Sequence, residues 1–406
     1  MRQLKNHPLK KVLRSNLFKE IFMSHSREKM VGLTARLLNH HLKGTTDQAE
    51  DIMRISLDAY TNEKRLKLEI NTIFRNYPLA LALSLELPKE NTYKALNVLE
   101  TPILLTRDSQ GRARAFINAC QHRGSPICEL GSGERSQFSC PYHTWTYNNQ
   151  GNLINIFKAD TFGDIDKSKI KLKELNCEER SGFIWVCINP ESKMDLDSWL
   201  YDFDLELNDI GLDKWHLYKQ RELPGPSWKI CWDGYLDGYH HHVVHPETVG
   251  KNTIVNLIAH DIYGPHQRFA FGKKTLSQLK DLDEKEWEPE EHIRLIHSGF
   301  PNLSISVILN QYCLVSMVYP CEDLNKTVTI QNILCMNEPN SREEKIAAEE
   351  FDNLALSAVR DEDYKMNFSI QAGVKSKGNK EFLFGKNEPL QQHYHKWIEK
   401  LCNQEF

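Results

Sequence analysis

Apolar residues recur at helical spacing through the first 78 residues. Leu9, Val12, Leu13, Leu17, Ile21 and Phe22 form one such set, and Met30, Leu33, Leu37 and Leu38 a second. Gly44 suits the end of that second helix, and Thr45 with Gln48 resembles a capping box opening another. A further helix is predicted from Asn62, with Leu66, Ile70, Ile73 and Phe74 on one face. After Pro78 the pattern changes to short strands and turns. Thr101–Arg107 and Ala113–Asn118 read as strands joined by a turn at Asp108–Gly111, and Gly182–Ile188 is another short apolar strand. From about residue 196 the pattern mixes both periods. Thr253–Ala259, Leu303–Val307, Leu314–Val318 and Thr327–Leu334 read as strands, with turns at Pro301-Asn302 and Asp323–Lys326. Ser341 and Glu344 form a capping box, from which a long helix is predicted to run towards residue 372. Trp397 and Leu401 suggest a short closing helix. The patterning therefore predicts an α+β chain: a helical segment over 1–78, a small β module over 79–195 and a larger mixed domain over 196–406.

A chain of 406 residues is too long for one core, which agrees with that division. Its longest near-continuous apolar run, Leu79 to Leu85, is far too short to span a bilayer. Lys10, Lys11 and Arg14 interrupt any apolar signal-peptide core, so a reducing cytoplasmic compartment is expected, with thiols free to bind metal. A net charge of −4 argues against a dedicated nucleic-acid binder. That balance is uneven: residues 1–45 hold ten Lys or Arg against Glu20 and Glu28. A solvated basic helix face is the plainest reading; docking of an acidic electron-transfer partner or a membrane-surface helix are others.

The histidines and cysteines are clustered. Cys120-Gln121-His122 is followed after 17 residues by Cys140-Pro141-Tyr142-His143. Two Cys and two His raise zinc first, but zinc modules pair Cys with Cys and His with His. One Cys and one His from each half fits two loops gripping a [2Fe-2S] cluster, with Cys120 and Cys140 on one iron and His122 and His143 on the other. Neutral imidazoles in place of two thiolates raise the potential of such a cluster. Cys128 reads as a small buried residue.

A second cluster lies in Trp228–Pro246, WKICWDGYLDGYHHHVVHP. Two of its four histidines with a carboxylate from elsewhere would make the two-His-one-carboxylate face of a non-haem Fe(II) site, open for O2 and substrate. Arg360-Asp361-Glu362-Asp363 offers three carboxylates, and equally reads as a solvated acidic run. Trp232, Tyr235, Tyr239 and Phe300 are possible pocket-lining aromatics, although aromatics so placed are more often core.

CQHRG (Cys120–Gly124), CPYHTWTY (Cys140–Tyr147) and GYH-x4-HP (Gly238–Pro246) together resemble the Rieske non-haem iron oxygenases of the aromatic ring-hydroxylating dioxygenase α-subunit type. The resemblance covers roughly residues 60–406 and excludes the respiratory branch, because Tyr142 stands where that branch has a loop cysteine. It implies an all-β Rieske domain over 79–195 and a helix-grip catalytic domain, an antiparallel sheet with a long helix, over 196–406. It implies His240 and His245 as iron ligands, with Asp363 as the carboxylate, since Glu-Asp is followed eight residues on by Gln371 and then by Gly373. It gives Asp237 the role of hydrogen-bonded bridge between a Rieske histidine and an iron histidine, across subunits of a homotrimer. Electrons would come from NAD(P)H through a separate reductase and possibly a ferredoxin, since the chain has no dinucleotide fingerprint. The implied reaction is O2-dependent hydroxylation or oxidative demethylation of a small organic substrate, with ring cis-dihydroxylation as the alternative; an electron carrier without oxygenase activity and a zinc-stapled binding protein are remoter readings. The chain departs from the family at Gly234, where many members carry Asn.

Overall fold

The computed structural model describes residues 25–308 and 311–403. The helix expected over Leu9 to Phe22 therefore lies outside the described residues. The second predicted helix is α1, His25–Lys43, with Leu33, Leu37 and Leu38 buried. No helix follows Gly44, contrary to the capping box read from Thr45 and Gln48. The Thr45 amide instead donates to the carbonyl of His40 (2.9 Å), and the His40 ring is taken up by Thr45 Oγ1 (2.8 Å) and Asp47 Oδ1 (2.9 Å). The chain then enters a strand, β1, Met53–Ser56.

Contact density divides the chain into two units that interleave in sequence. Of the described residues, one comprises 25–61, Trp215–Val318 and Thr327–Trp397; the other comprises Asn62–Lys214, Tyr319–Lys326 and 398–403.

The second unit opens with α2, Glu63–Glu69, where the Asn62 side chain accepts from the amides of Lys64 and Arg65. A π-helical turn, Ile70–Phe74, continues it and completes the predicted apolar face. Three small antiparallel sheets follow. The largest runs β10-β5-β4-β3-β6, from β3 (Thr92–Val98), β4 (Thr101–Arg107), β5 (Ala113–Ile117), β6 (Gly131–Glu134) and β10 (Glu174–Leu175). The second stacks β7 (Gln137–Ser139), β8 (Thr146–Asn148) and β9 (Leu153–Asn155). The third orders β11 (Cys177–Arg180), β12 (Phe183–Val186) and β2 (Leu79–Leu83), whose five residues are all buried. Tyr93, Phe116, Phe138, Trp145 and Tyr147 pack with Cys120 and Cys140 into one core.

The first unit is built on a seven-stranded antiparallel sheet ordered β13-β19-β18-β17-β16-β15-β14. Its strands are β13 (His216–Gly225), β14 (Thr253–Tyr263), β15 (His266–Lys273), β16 (Ile293–Gly299), β17 (Leu303–Ile308), β18 (Tyr312–Pro320) and β19 (Thr327–Cys335). Side chains alternate between its two faces. Leu257, Ala259 and Ala270 pack against α1, whereas Ile333 and Leu314 pack against Phe351 and Ala355 of α5, Arg342–Leu356. The Ser341–Glu344 capping box forms as predicted. Helix α5 runs into a π-helical segment, Ser357–Tyr364, and on into α6, Lys365–Ser376, so one helical rod crosses the sheet. Between β13 and β14 lie α3, Trp228–Tyr235, and α4, His241–Val244. Strand β20, Glu381–Phe384, pairs with β1, and the closing helix α7, Pro389–Cys402, is 14 residues long rather than short. Among the described residues no helix is long and apolar enough to cross a membrane.

Candidate metal centres

The two Cys–His motifs fold into loops of the same backbone design. In the first, the Cys120 amide donates to Ser125 O (2.8 Å) and the Gly124 amide returns to Cys120 O (2.7 Å). In the second, the Cys140 amide donates to Trp145 O (2.8 Å) and the Thr144 amide returns to Cys140 O (2.9 Å). Each loop turns through a left-handed residue at its fifth position, Gly124 (φ 77°) and Thr144 (φ 58°). Glycine meets that requirement without strain, whereas a threonine there is held against its preference. The loops bring His122 and His143 to a ring separation of 4.7 Å, and His122 stacks flat on Trp145 at 4.9 Å. The Nδ1 of His122 is buried without a hydrogen-bond partner, which is the state of a nitrogen kept for a metal. Cys120 and Cys140 are buried and free, so the donor set fits a [2Fe-2S] cluster. Sequence reasoning passed over Tyr147, although it ends the second motif. Its hydroxyl lies 3.4 Å from Cys120 Sγ and accepts the Gln121 amide at 3.0 Å, leaving its proton for the sulfur. Cys128 is buried, and burial pushes its thiol up from the ordinary range.

The second constellation is assembled from three elements. His240 precedes α4, His245 ends it, and Asp363 comes from the π segment. His240 Nε2 and His245 Nε2 are 3.1 Å apart, and Asp363 Oδ1 lies 3.3 Å from the first and 2.9 Å from the second. A metal about 2.1 Å from three mutually cis donors sets those donors about 3 Å apart, so the triangle fits a facial triad. The outward nitrogens are held as well. His240 Nδ1 is 2.9 Å from Asp237 Oδ2, and His245 Nδ1 is 2.7 Å from Glu362 Oε2, which also accepts from Thr248 Oγ1. Each carboxylate fixes its imidazole as the Nδ1–H tautomer, turning the Nε2 lone pair inward. Burial alone would pull the His240 imidazole down, but Asp237 and Asp363 outweigh it and raise it to about 10. Burial would likewise raise the Asp363 carboxyl, yet the two histidines hold it at about 2. The acidic neighbours thus favour positive charge at this triangle.

The π segment determines which carboxylates face inward. Its wider turn lets consecutive residues, Glu362 and Asp363, address opposite nitrogens of the same histidine, while Asp361 turns outward to pair with Arg360 at 2.7 Å. Glu362 was visible only as one of three acids; its part as a support for His245 depends on this geometry. Of the neighbouring histidines, His242 is exposed, and the His241 ring lies 4.4 Å from Phe271. Gly250 closes over the turn: a Cβ there would meet His241 O at 1.9 Å and His245 O at 2.7 Å, so no side chain is tolerated.

The aromatics separate. Tyr239 is 56% exposed and lines nothing buried. Trp232 and Phe300 pack on Tyr394 at 5.1 and 4.8 Å, as core. Tyr235 is half-buried, with its hydroxyl shut in beside Ser316 and Tyr364 and making no well-formed hydrogen bond. At position 234 the missing side chain is compensated from α6. A Cβ on Gly234 would sit 3.0 Å from Asn367 Nδ2 and 3.2 Å from its Oδ1, and that buried Nδ2 is unpaired. An amide one helical turn beyond Asp363 thus occupies the space that an Asn at 234 would fill.

A β module with paired Cys–His loops and a sheet domain with an open His–His–Asp triangle define a Rieske-type metalloprotein with a second, mononuclear metal site. Residues 78–168 match the Rieske [2Fe-2S] domain, and residues 212–404 match the catalytic domain of the ring hydroxylating alpha subunit. The chain belongs to the Rieske non-haem iron oxygenases of the ring-hydroxylating α-subunit type. It is 29% identical over 204 residues to the large subunit of anthranilate 1,2-dioxygenase from Acinetobacter baylyi, covering 48% of this chain and 43% of that one. It is 27% identical over 331 residues to the carnitine monooxygenase oxygenase subunit of Acinetobacter baumannii, covering 79% of this chain and 84% of that one. The chain spans about half the length of several curated relatives it matches, 43% for the anthranilate enzyme and 53% for a glycine betaine monooxygenase subunit. Among solved structures, the quaternary ammonium Rieske monooxygenase CntA with L-carnitine superposes with a TM-score of 0.74 at 22% identity, over 87% of this chain and 97% of that one. Naphthalene 1,2-dioxygenase from a Rhodococcus species superposes with a TM-score of 0.70 at 18% identity, over 93% and 99%. Both likenesses establish the fold: a Rieske domain and a helix-grip sheet domain.

Proposed function

We propose that this chain is the terminal oxygenase of a multicomponent system. It takes electrons that originate in NAD(P)H from a separate reductase, directly or through a ferredoxin, and uses O2 to hydroxylate or oxidatively demethylate a small organic substrate. The observation that carries this reading is the open triangle of His240, His245 and Asp363, each histidine anchored behind by its own carboxylate. Those three residues would hold Fe(II); Cys120, His122, Cys140 and His143 would hold the [2Fe-2S] cluster. When bound, the cluster supplies single electrons and the iron an open coordination face for O2. For hydroxylation, RH, O2, two electrons and two protons give ROH and water, NAD(P)H being the reductant. The chain's own residues do the positioning. Asp237 and Glu362 keep both Nε2 lone pairs aimed inward.

Asp237 is also the residue we assign to carry electrons from a Rieske histidine to His240, between neighbouring copies of a homotrimer, as the family resemblance implies. The ten cysteines, none in a disulfide, fit the reducing cytoplasm. A monooxygenase or demethylase is favoured because the match to carnitine monooxygenase extends over most of both chains. Ring cis-dihydroxylation is the second reading, supported by the shorter matches to anthranilate and toluate dioxygenases.

Metal analysis and O2 uptake test the proposal together. The purified protein should contain two acid-labile-sulfide irons and one further iron per chain. It should consume O2 and NAD(P)H with a surrogate reductase when offered some member of a panel of aromatic acids, methyl ethers and methylamines. A cluster without the further iron would reduce the chain to an electron carrier, and zinc with no iron would overturn the reading altogether.

A further inference from the structure

Among the described residues, the buried and half-buried arginines on the strands of the large sheet are matched by carboxylates, with one exception. Arg268 meets Asp261 at 2.6 Å, and Arg221 meets Asp352. Arg294, on β16, has no carboxylate or hydrogen-bond acceptor among the described residues, and its Nε is buried and unpaired. A half-buried guanidinium with its Nε shut off from water and no counter-ion is costly, so folded chains rarely keep one idle.

The position of Arg294 suggests what it is kept for. It pairs in register with Phe271 of β15, so the two side chains leave the same face of the sheet about 5 Å apart. The Phe271 ring lies 4.4 Å from that of His241, which stands between the metal-facing His240 and His245 at ring distances of 5.1 and 5.7 Å. Lys273, two residues beyond Phe271 on the same strand, points to this face too. Its Nζ donates only to the Glu290 carbonyl, at 2.6 Å. Two cations therefore share one end of the metal-facing side of the sheet. We infer that Lys273 and Arg294 form an anion subsite that takes the carboxylate of the substrate and orients the rest of the molecule past Phe271 towards the triad.

The charge balance agrees. Burial, then the neighbouring Arg294, pulls the Lys273 ammonium down to about 8 despite Glu290 and Glu291, and burial alone lowers Arg294 to about 10. Neither cation forms an ion pair with a carboxylate among the described residues, and a bound carboxylate would pair with both. A planar guanidinium beside an ammonium also suits a carboxylate's two oxygens better than a single acceptor. The inference rests on the oxygenase reading for the ligand's being the substrate, but not for its being an anion.

The test uses the full, iron-loaded protein and two matched probe pairs, benzoate with benzamide and trimethylglycine with its amide, measured by titration calorimetry. At least one carboxylate should bind tenfold or more tightly than its amide, about 1.4 kcal/mol. Arg294→Gln should abolish that preference, and Lys273→Gln should weaken it. Without any carboxylate present, Arg294→Gln should melt at a higher temperature than the parent, because an uncompensated charge has been removed. Benzoate or trimethylglycine should raise the parent's melting temperature but not the variant's. A purely structural arginine would give the reverse, a variant that melts lower. That outcome, or equal affinity within both pairs, or no binding of either carboxylate, would overturn the subsite. Iron content and O2 uptake are read on the same samples. A carboxylate preference without mononuclear iron would keep the subsite and remove the oxygenase, and O2-dependent turnover of the neutral partners alone would do the opposite.

Discussion

The two metal-facing regions are held by different means. The Cys–His loops are shaped by the backbone: four amide–carbonyl bonds and two left-handed residues set the turns, and His122, the proposed ligand, has a nitrogen with no partner among the described residues. In the sheet unit the backbone does less and the side chains do more. Both histidines have their outward nitrogens gripped by carboxylates, one of them a neighbour three residues away and the other 117 residues distant. Contiguous loops can position a cluster by local geometry alone. A site whose parts meet only in the folded sheet needs its orientation enforced side chain by side chain.

That contrast can be broken first at His240. His240→Ala should leave the visible spectrum of the cluster unchanged while abolishing product formation, and normal turnover in this variant would remove the triad. Asp237→Asn should come next. Both metals should stay bound, yet oxidation of the cluster in a single turnover should slow by orders of magnitude; rapid oxidation would deny Asp237 its bridging part. Glu362→Gln sharpens the comparison, since it disturbs only the support of His245. Iron affinity, read by competition with a chelator, should fall about 10–100-fold. An unchanged affinity would mean that α4 and Gly250 orient His245 unaided. The smallest effect is expected at Tyr147→Phe. Loss of a hydroxyl donor to Cys120 Sγ should lower the cluster's reduction potential while iron content in both sites stays constant. A potential that stays put would show that the loops are tuned by backbone alone.

How much of this was legible in the sequence follows the same contrast. The proposed cluster ligands could be picked out directly, because each loop carries its Cys and His within four residues. The Ser341–Glu344 cap and the strands rich in branched residues were equally local signals. Three strands of the large sheet were missed for a physical reason. β13 reads HLYKQRELPG, and it carries charge because Lys219 and Arg221 pair with the buried Asp352 of α5. β15 and β16 likewise mix Arg, Gln, His and Ser with their apolar residues. The capping box misread at Thr45 failed because His40 and Asp47, rather than a helix, took up the local hydrogen bonds. Glu362 and the transposed amide of Asn367 could not be found from spacing, since both depend on how one helix lies against another.

The π segment at Ser357–Tyr364 has a further consequence, one of phase. A π bulge is an α-helix carrying one surplus residue. Deleting a residue just upstream of Asp363 would restore an unbroken rod from Arg342 to Ser376, more regular and with better-aligned hydrogen bonds. It would also rotate the ligand by about 100° around the helix axis, away from both histidines. The irregular helix thus keeps Asp363 beside both histidines at the expense of regularity. Single-residue insertions and deletions here, rather than substitutions, are the changes that would switch the metal site on or off in one step.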